Sequence, residues 1–226
     1  MRLTIILVLY NVLASVYLFM EINQASKNML FDFRSAQSFN QKDAEAWTEI
    51  SDTVRKPGMS KAIFTLQKTQ LFQRAILFAI INPQPNGAAF AGVHTNMPRS
   101  RNLTFPESED NSHAKGLKIF VKGQGQLKFW KVVLKDDVNI MSYDFEQKFE
   151  IKNDDHNHQF EAIYLPFCDF KAYFRGKEVP DAPDLNLKNI ETFGLQTFGG
   201  IYDDFKQCGT GSLEIDYVTY YYASRL

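Results

Sequence analysis

Apolar and polar residues alternate with a period of two over much of the chain, the spacing of a strand whose successive side chains point to opposite faces. Leu71, Gln73, Ala75, Leu77, Ala79 and Ile81 alternate with Phe72, Arg74, Ile76, Phe78 and Ile80. Both sets are largely apolar, which predicts a strand in the interior of a sheet, ended by the turn residues 82–87. Leu117, Ile119 and Val121 alternate with Lys118, Phe120 and Lys122, and the Gly123-Gln124-Gly125 signal before residues 127–134 predicts a hairpin. Tyr143, Phe145, Phe149 and Ile151 alternate with Asp144, Glu146, Lys148, Glu150 and Lys152, one face apolar and one charged, as in an antiparallel sheet wet on one side. Residues 160–167, 190–198 and 212–222 supply further strands. In the last of these Leu213, Ile215, Tyr217 and Tyr221 are expected on the core face, and Glu214, Asp216, Tyr220 and Tyr222 on the other. Residues 43–47 offer one helical turn or a strand entry.

Short strands at regular spacing with few helical stretches predict an all-β antiparallel sandwich or barrel. Fixed-period repeats, which would mark a propeller or solenoid, are absent from the sequence. The chain has 226 residues, 45% of them apolar and 20 of them phenylalanine, enough for one large core. Its formal net charge of −1 gives no basic footprint for nucleic acid.

Charge changes the picture at the N-terminus. Arg2 precedes an uncharged, Leu/Ile/Val-rich run from Leu3 to Met20, so residues 1–20 read as a secretory signal peptide or a marginal membrane anchor; a mitochondrial presequence would be amphipathic and Arg-rich. A secretory route gives meaning to the sequon Asn102-Leu103-Thr104, in a polar loop where a glycan is tolerated. It also favours a disulfide between the only two cysteines, Cys168 and Cys208, over two unpaired thiols.

Several blocks follow one another along the chain: Leu30-Phe31-Asp32-Phe33, Trp47, Ser51-Asp52-Thr53-Val54 with Gly58-Met59-Ser60, Asn86-Gly87-Ala88-Ala89-Phe90, residues 115–125, Leu165-Pro166-Phe167-Cys168-Asp169-Phe170, Phe174-Arg175-Gly176 and Leu213-Glu214-Ile215-Asp216. Together, over about residues 29–222, they resemble the complex I intermediate-associated protein 30 family. The resemblance implies a galactose-binding-like jelly-roll β-sandwich. It also implies a non-catalytic, chaperone-like factor that binds unfolded subunits during assembly of mitochondrial respiratory complex I (NADH dehydrogenase). One departure is the loop Arg55-Lys56-Pro57-Gly58, a residue longer than the family's Met-Gly-Gly-Val-Ser turn and with a single glycine.

Candidate chemistry is sparse. The sequence has no nucleophile elbow, His-Glu-x-x-His, Cys-x-x-Cys or phosphate loop, and an enzyme is not expected. Asp154, Asp155, His156 and His158 bring carboxylates and imidazoles together as for a metal, although a polar hairpin tip is the favoured reading. Glu214 and Asp216, two apart on one strand, require a positive partner: Arg175, or a structural calcium shared with Asp52, by analogy with related sandwich modules. Trp130, Tyr173, Phe174, Tyr220 and Tyr222 are candidates for a sugar platform, with Arg175 and Glu214 bonding hydroxyls; aromatics in a sandwich more often fill the core. Two expectations therefore stand side by side. One is a mitochondrial assembly factor whose partners are protein subunits; the other is a secreted or lumenal module that binds glycan or protein, touching membrane only through an uncleaved N-terminal anchor.

Overall fold

The computed structural model describes residues 28–97, 114–136, 143–152 and 159–222. The N-terminal apolar run, Asn102 and the turn holding Asp154, Asp155, His156 and His158 lie outside the described residues. Among the described residues, no helix is long and apolar enough to cross a membrane.

The strands are β1 (Met29–Asp32), β2 (Thr48–Ser51), β3 (Lys61–Lys68), β4 (Gln73–Ile81), β5 (Phe90–Asn96), β6 (Gly116–Gly125), β7 (Phe129–Asp136), β8 (Asp144–Glu150), β9 (Glu161–Pro166), β10 (Lys171–Phe174), β11 (Lys177–Glu178), β12 (Ile190–Phe198) and β13 (Gly209–Tyr221). They form two antiparallel sheets. The first runs β3-β4-β13-β6-β9, with β1 against the second half of β13; the second runs β11-β10-β8-β7-β12-β5-β2. The all-β sandwich expected from the alternation is what forms, and β4 sits inside its sheet between β3 and β13.

Leu77, Ile119, Val121, Leu213 and Ile215 from the first sheet meet Trp130, Val132, Phe145, Phe193 and Leu195 from the second, all almost fully buried. Each such side chain contributes about 1.5–3 kcal/mol on burial. An aromatic cluster closes one side: Trp47 stacks on Phe64 at 4.4 Å and meets Phe31 edge-on at 5.1 Å. Helix α1 (Gln41–Glu45) delivers that tryptophan. Asn40 caps it, its side-chain oxygen accepting from the Lys42 amide at 2.9 Å while Asp43 accepts from the Asn40 amide at 2.8 Å, a reciprocal capping box.

Two sequence expectations fail. Residues 117–134 do not form a hairpin: β6 pairs with β13 and β9, whereas β7 pairs with β12 and β8 in the other sheet. The glycine-rich connection is a corner at which the chain changes sheets, with Gly125 at φ +87 and Leu127 buried in the sandwich. The single register of β13 also fails. A bulge between Ile215 and Tyr217 flips the strand, because one inserted residue exchanges the two faces. Leu213 and Ile215 therefore face the core, then Val218 and Tyr220 do, and Tyr217 and Tyr221 turn outward.

Candidate binding faces

The structure moves most of the candidate residues into scaffolding roles. Trp130 is fully buried, its indole N–H donating to the Leu127 carbonyl at 3.1 Å, so it cannot serve as a platform; Tyr220 is buried as well. Buried Asp52 accepts from the Ser60 amide at 2.8 Å and the Ser60 hydroxyl at 3.0 Å. This clip ties the end of β2 in one sheet to the start of β3 in the other. Gly58 is indispensable to it, since a Cβ there would stand 2.0 Å from the Asp52 carbonyl oxygen. The loop's one glycine thus sits where the backbone demands it, and the Asp52 carboxylate is taken up by Ser60.

Arg175 and Gly176, both at positive φ, form the two-residue turn between β10 and β11, the geometry favoured in tight hairpins. The Arg175 side chain lies over Phe174 at the edge of the second sheet. It is on the wrong sheet to neutralise Glu214.

Cys168 and Cys208 are both free and exposed, contrary to the expected disulfide. Cys168 follows β9, whose Pro166 pairs with Gly116 beside Tyr221, whereas Cys208 precedes Gly209 at the other end of β13. A strand of that length separates them by about 40 Å, far beyond the reach of a disulfide.

Glu214 and Asp216 do share a site, on the outer face of the first sheet. Glu214 accepts from Arg74 at 2.5 Å, from Lys122 at 2.7 Å and from the Gln124 amide at 2.7 Å, and Arg74 lies 3.6 Å from Asp216. Protein cations on β4 and β6 therefore do what a calcium ion or Arg175 was expected to do. Burial would push the Glu214 pKa up, but the bonds from Lys122 and Arg74 outweigh it and hold the carboxyl below its ordinary value. Asp216 moves the other way: burial raises it, and the neighbouring Glu214 and Asp32 carboxylates add to the rise against Arg74 and Arg34.

Rings frame these charges. Arg74 lies over Phe72 at 4.2 Å and Phe160 at 4.6 Å, Arg34 over Tyr217 at 4.8 Å, and Lys118 between Tyr164 and Tyr217, 5.7 Å from each. Toward β3 the same face becomes apolar, with Ile63 at 59%, Phe78 at 38% and Ile80 at 37% exposure. Ile63 and Phe78 are directly paired across β3 and β4. The exposed Leu71 and Phe72 sit at the turn joining those strands.

The outer face of the second sheet has another character. Lys131 pairs with Glu146 at 2.5 Å, Lys135 with Asp144 at 2.8 Å, Lys148 with Asp203 at 2.5 Å and Lys171 with Glu178 at 3.1 Å. Lys131, Glu146 and Gln196 point away from the core yet are buried. The segment after β12 packs against this face, with Phe205 stacked on Phe129 at 3.7 Å. His94 on β5 is held below the ordinary histidine pKa by burial and then by Lys135. Sequence reading missed the roles of Arg74 and Gln196, which lie among other polar residues of their strands, Gln73 in β4 and Glu191, Thr192 and Thr197 in β12.

Two antiparallel sheets packed on one core, with two decorated outer faces, define a β-sandwich of the kind found in carbohydrate-binding modules. The family 11 module from Clostridium thermocellum in complex with a β-1,3-1,4-mixed-linked tetrasaccharide superposes with a TM-score of 0.55 at 12% identity, covering 88% of this chain and 97% of that one. A family 30 module of a cellulosomal cellulase of the same organism gives 0.51 at 8% identity, covering 88% and 98%. These likenesses establish the fold. By sequence, residues 31–215 match the Complex I intermediate-associated protein 30 (CIA30) family, and the chain belongs to it. A search of the curated proteins found no match.

Proposed function

We propose that this protein is a non-catalytic binding factor that holds incompletely folded subunits during assembly of respiratory complex I, and that it works in mitochondria. The family match over residues 31–215 carries this reading. The outer face of the first sheet supports it, because exposed Ile63, Phe78 and Ile80 beside the Arg74–Glu214–Lys122 cluster give a surface that is apolar at one end and charged at the other. Contiguous exposed apolar side chains mark protein contact surfaces, and cation–aromatic ladders keep the neighbouring charges fixed.

A second reading, a secreted or lumenal glycan-binding module entered through the N-terminal apolar run and glycosylated at Asn102, is favoured by the mutually neutralised charges on the outer face of the second sheet. Imaging a C-terminally tagged chain separates the two. Mitochondrial signal, with complex I subassemblies accumulating on native gels when the protein is removed, supports the assembly factor. Secretion with a mass that falls on deglycosylation supports the module and overturns the first reading.

A further inference from the structure

We propose that the outer face of the second sheet holds a saccharide site, centred on Gln196 between the Lys131–Glu146 pair and His94, that takes neutral rather than charged sugars. The inference rests on the glycan-binding reading and gives it a place and a ligand class. Gln196 on β12 stands opposite Lys131 of β7 and Gly92 of β5; one residue pair away, Gly194 stands opposite Val133 and His94. Gln196 lies across Gly92, whose missing side chain leaves room for it, and Gly194 places no side chain between Val133 and His94.

Burial and pairing define what fits. Gln196 is 7% exposed, Lys131 8% and Glu146 7%, although all three point outward. The Gln196 amide has no hydrogen-bond partner among the described residues. The amide nitrogen and oxygen are not sealed from solvent, so they are free to bond water or a ligand that brings hydroxyls. The carboxylate of Glu146 and the ammonium of Lys131, 2.5 Å apart, neutralise each other and still carry spare bonding capacity. Lys135, Lys148 and Lys171 are likewise matched by Asp144, Asp203 and Glu178. At Lys131, Lys135, Lys148 and Lys171 a charged ligand would have to break an existing pair. An uncharged polyol meets fixed donors and acceptors, with the Phe198 ring beside Lys131 as an apolar wall.

The test is an amide-resolved NMR titration of the full chain with cellotetraose, mannotetraose and chitotetraose, and with a sulfated heparin tetrasaccharide for contrast. Concentrations run to about 10 mM, where a Kd of about 1 mM is nearly saturated. We expect at least one neutral sugar to shift the amides of His94, Gly194 and Gln196, with the sulfated sugar leaving them still. Gln196→Ala should weaken that binding about tenfold, equivalent to about 1.4 kcal/mol, without changing the melting temperature; His94→Ala gives an independent second reading should Gln196→Ala fail to fold. Shifts confined to the outer face of the first sheet would overturn this site while leaving glycan binding intact. No shifts with any neutral sugar would overturn the site and remove its support for glycan binding, and shifts at these amides with the sulfated sugar alone would overturn the ligand class.

Discussion

Glu214 shows how a single carboxylate ties three strands together. It sits on β13 and takes hydrogen bonds from Arg74 on β4 and from Lys122 and Gln124 on β6. Glu214→Gln should therefore destabilise the domain by about 1–3 kcal/mol, the range for losing charge-assisted bonds in a largely buried site, read from denaturant midpoints. Its depressed pKa gives the pH dependence a definite sign. The native state resists protonating Glu214, so its contribution is complete above the ordinary glutamate value and is lost as pH falls through the lower native one. His94, also depressed, acts in the same direction at higher pH. Stability should decline as pH falls below the ordinary histidine value, and His94→Gln should flatten that limb of the stability profile.

At the scale of the element, β13 carries the decisive test of register. Ile215 faces the core before the bulge and Tyr220 after it, whereas Tyr217 lies outside on Phe120 at 5.3 Å. Ile215→Asp should unfold the domain, since a buried unpaired carboxylate costs several kcal/mol against a total of about 5–15. Tyr220→Ser should cost about 3 kcal/mol and Tyr217→Ser about 1 kcal/mol or less, by thermal or chemical melting. The alternation in the sequence made β4 and β8 legible because each keeps one register throughout. It could not reveal the bulge, because Tyr217 and Tyr220 are equally apolar and the choice between them is made by pairing with β6. The Gly123-x-Gly125 signal marked a change of direction correctly, but a turn within a sheet and a corner between sheets use the same residues. The candidate site was legible only in Glu214 and Asp216. Arg74 and Lys122 are distant in sequence, and only the strand order β4-β13-β6 brings them to either side of Glu214.

For the whole molecule, the two sheets give the sandwich two outer faces with different chemistry. The first is apolar at Ile63, Phe78 and Ile80 and charged around Glu214; the second has its charges paired off. Binding on the first need not disturb the core, because Phe78 and Ile80 alternate along β4 with Leu77, Ala79 and Ile81, which are buried. Surface substitutions there should leave stability within about 0.5 kcal/mol. The most direct test of assembly function is complementation: cells lacking the protein receive either the natural chain or one carrying Ile63→Lys and Phe78→Lys, and mature complex I is quantified on native gels. The expected result is restored complex I with the natural chain and persistent subassemblies with the variant, both chains being mitochondrial, folded and equally abundant. Normal complex I in cells lacking the protein would contradict an assembly role, and full rescue by the variant would contradict docking at that face.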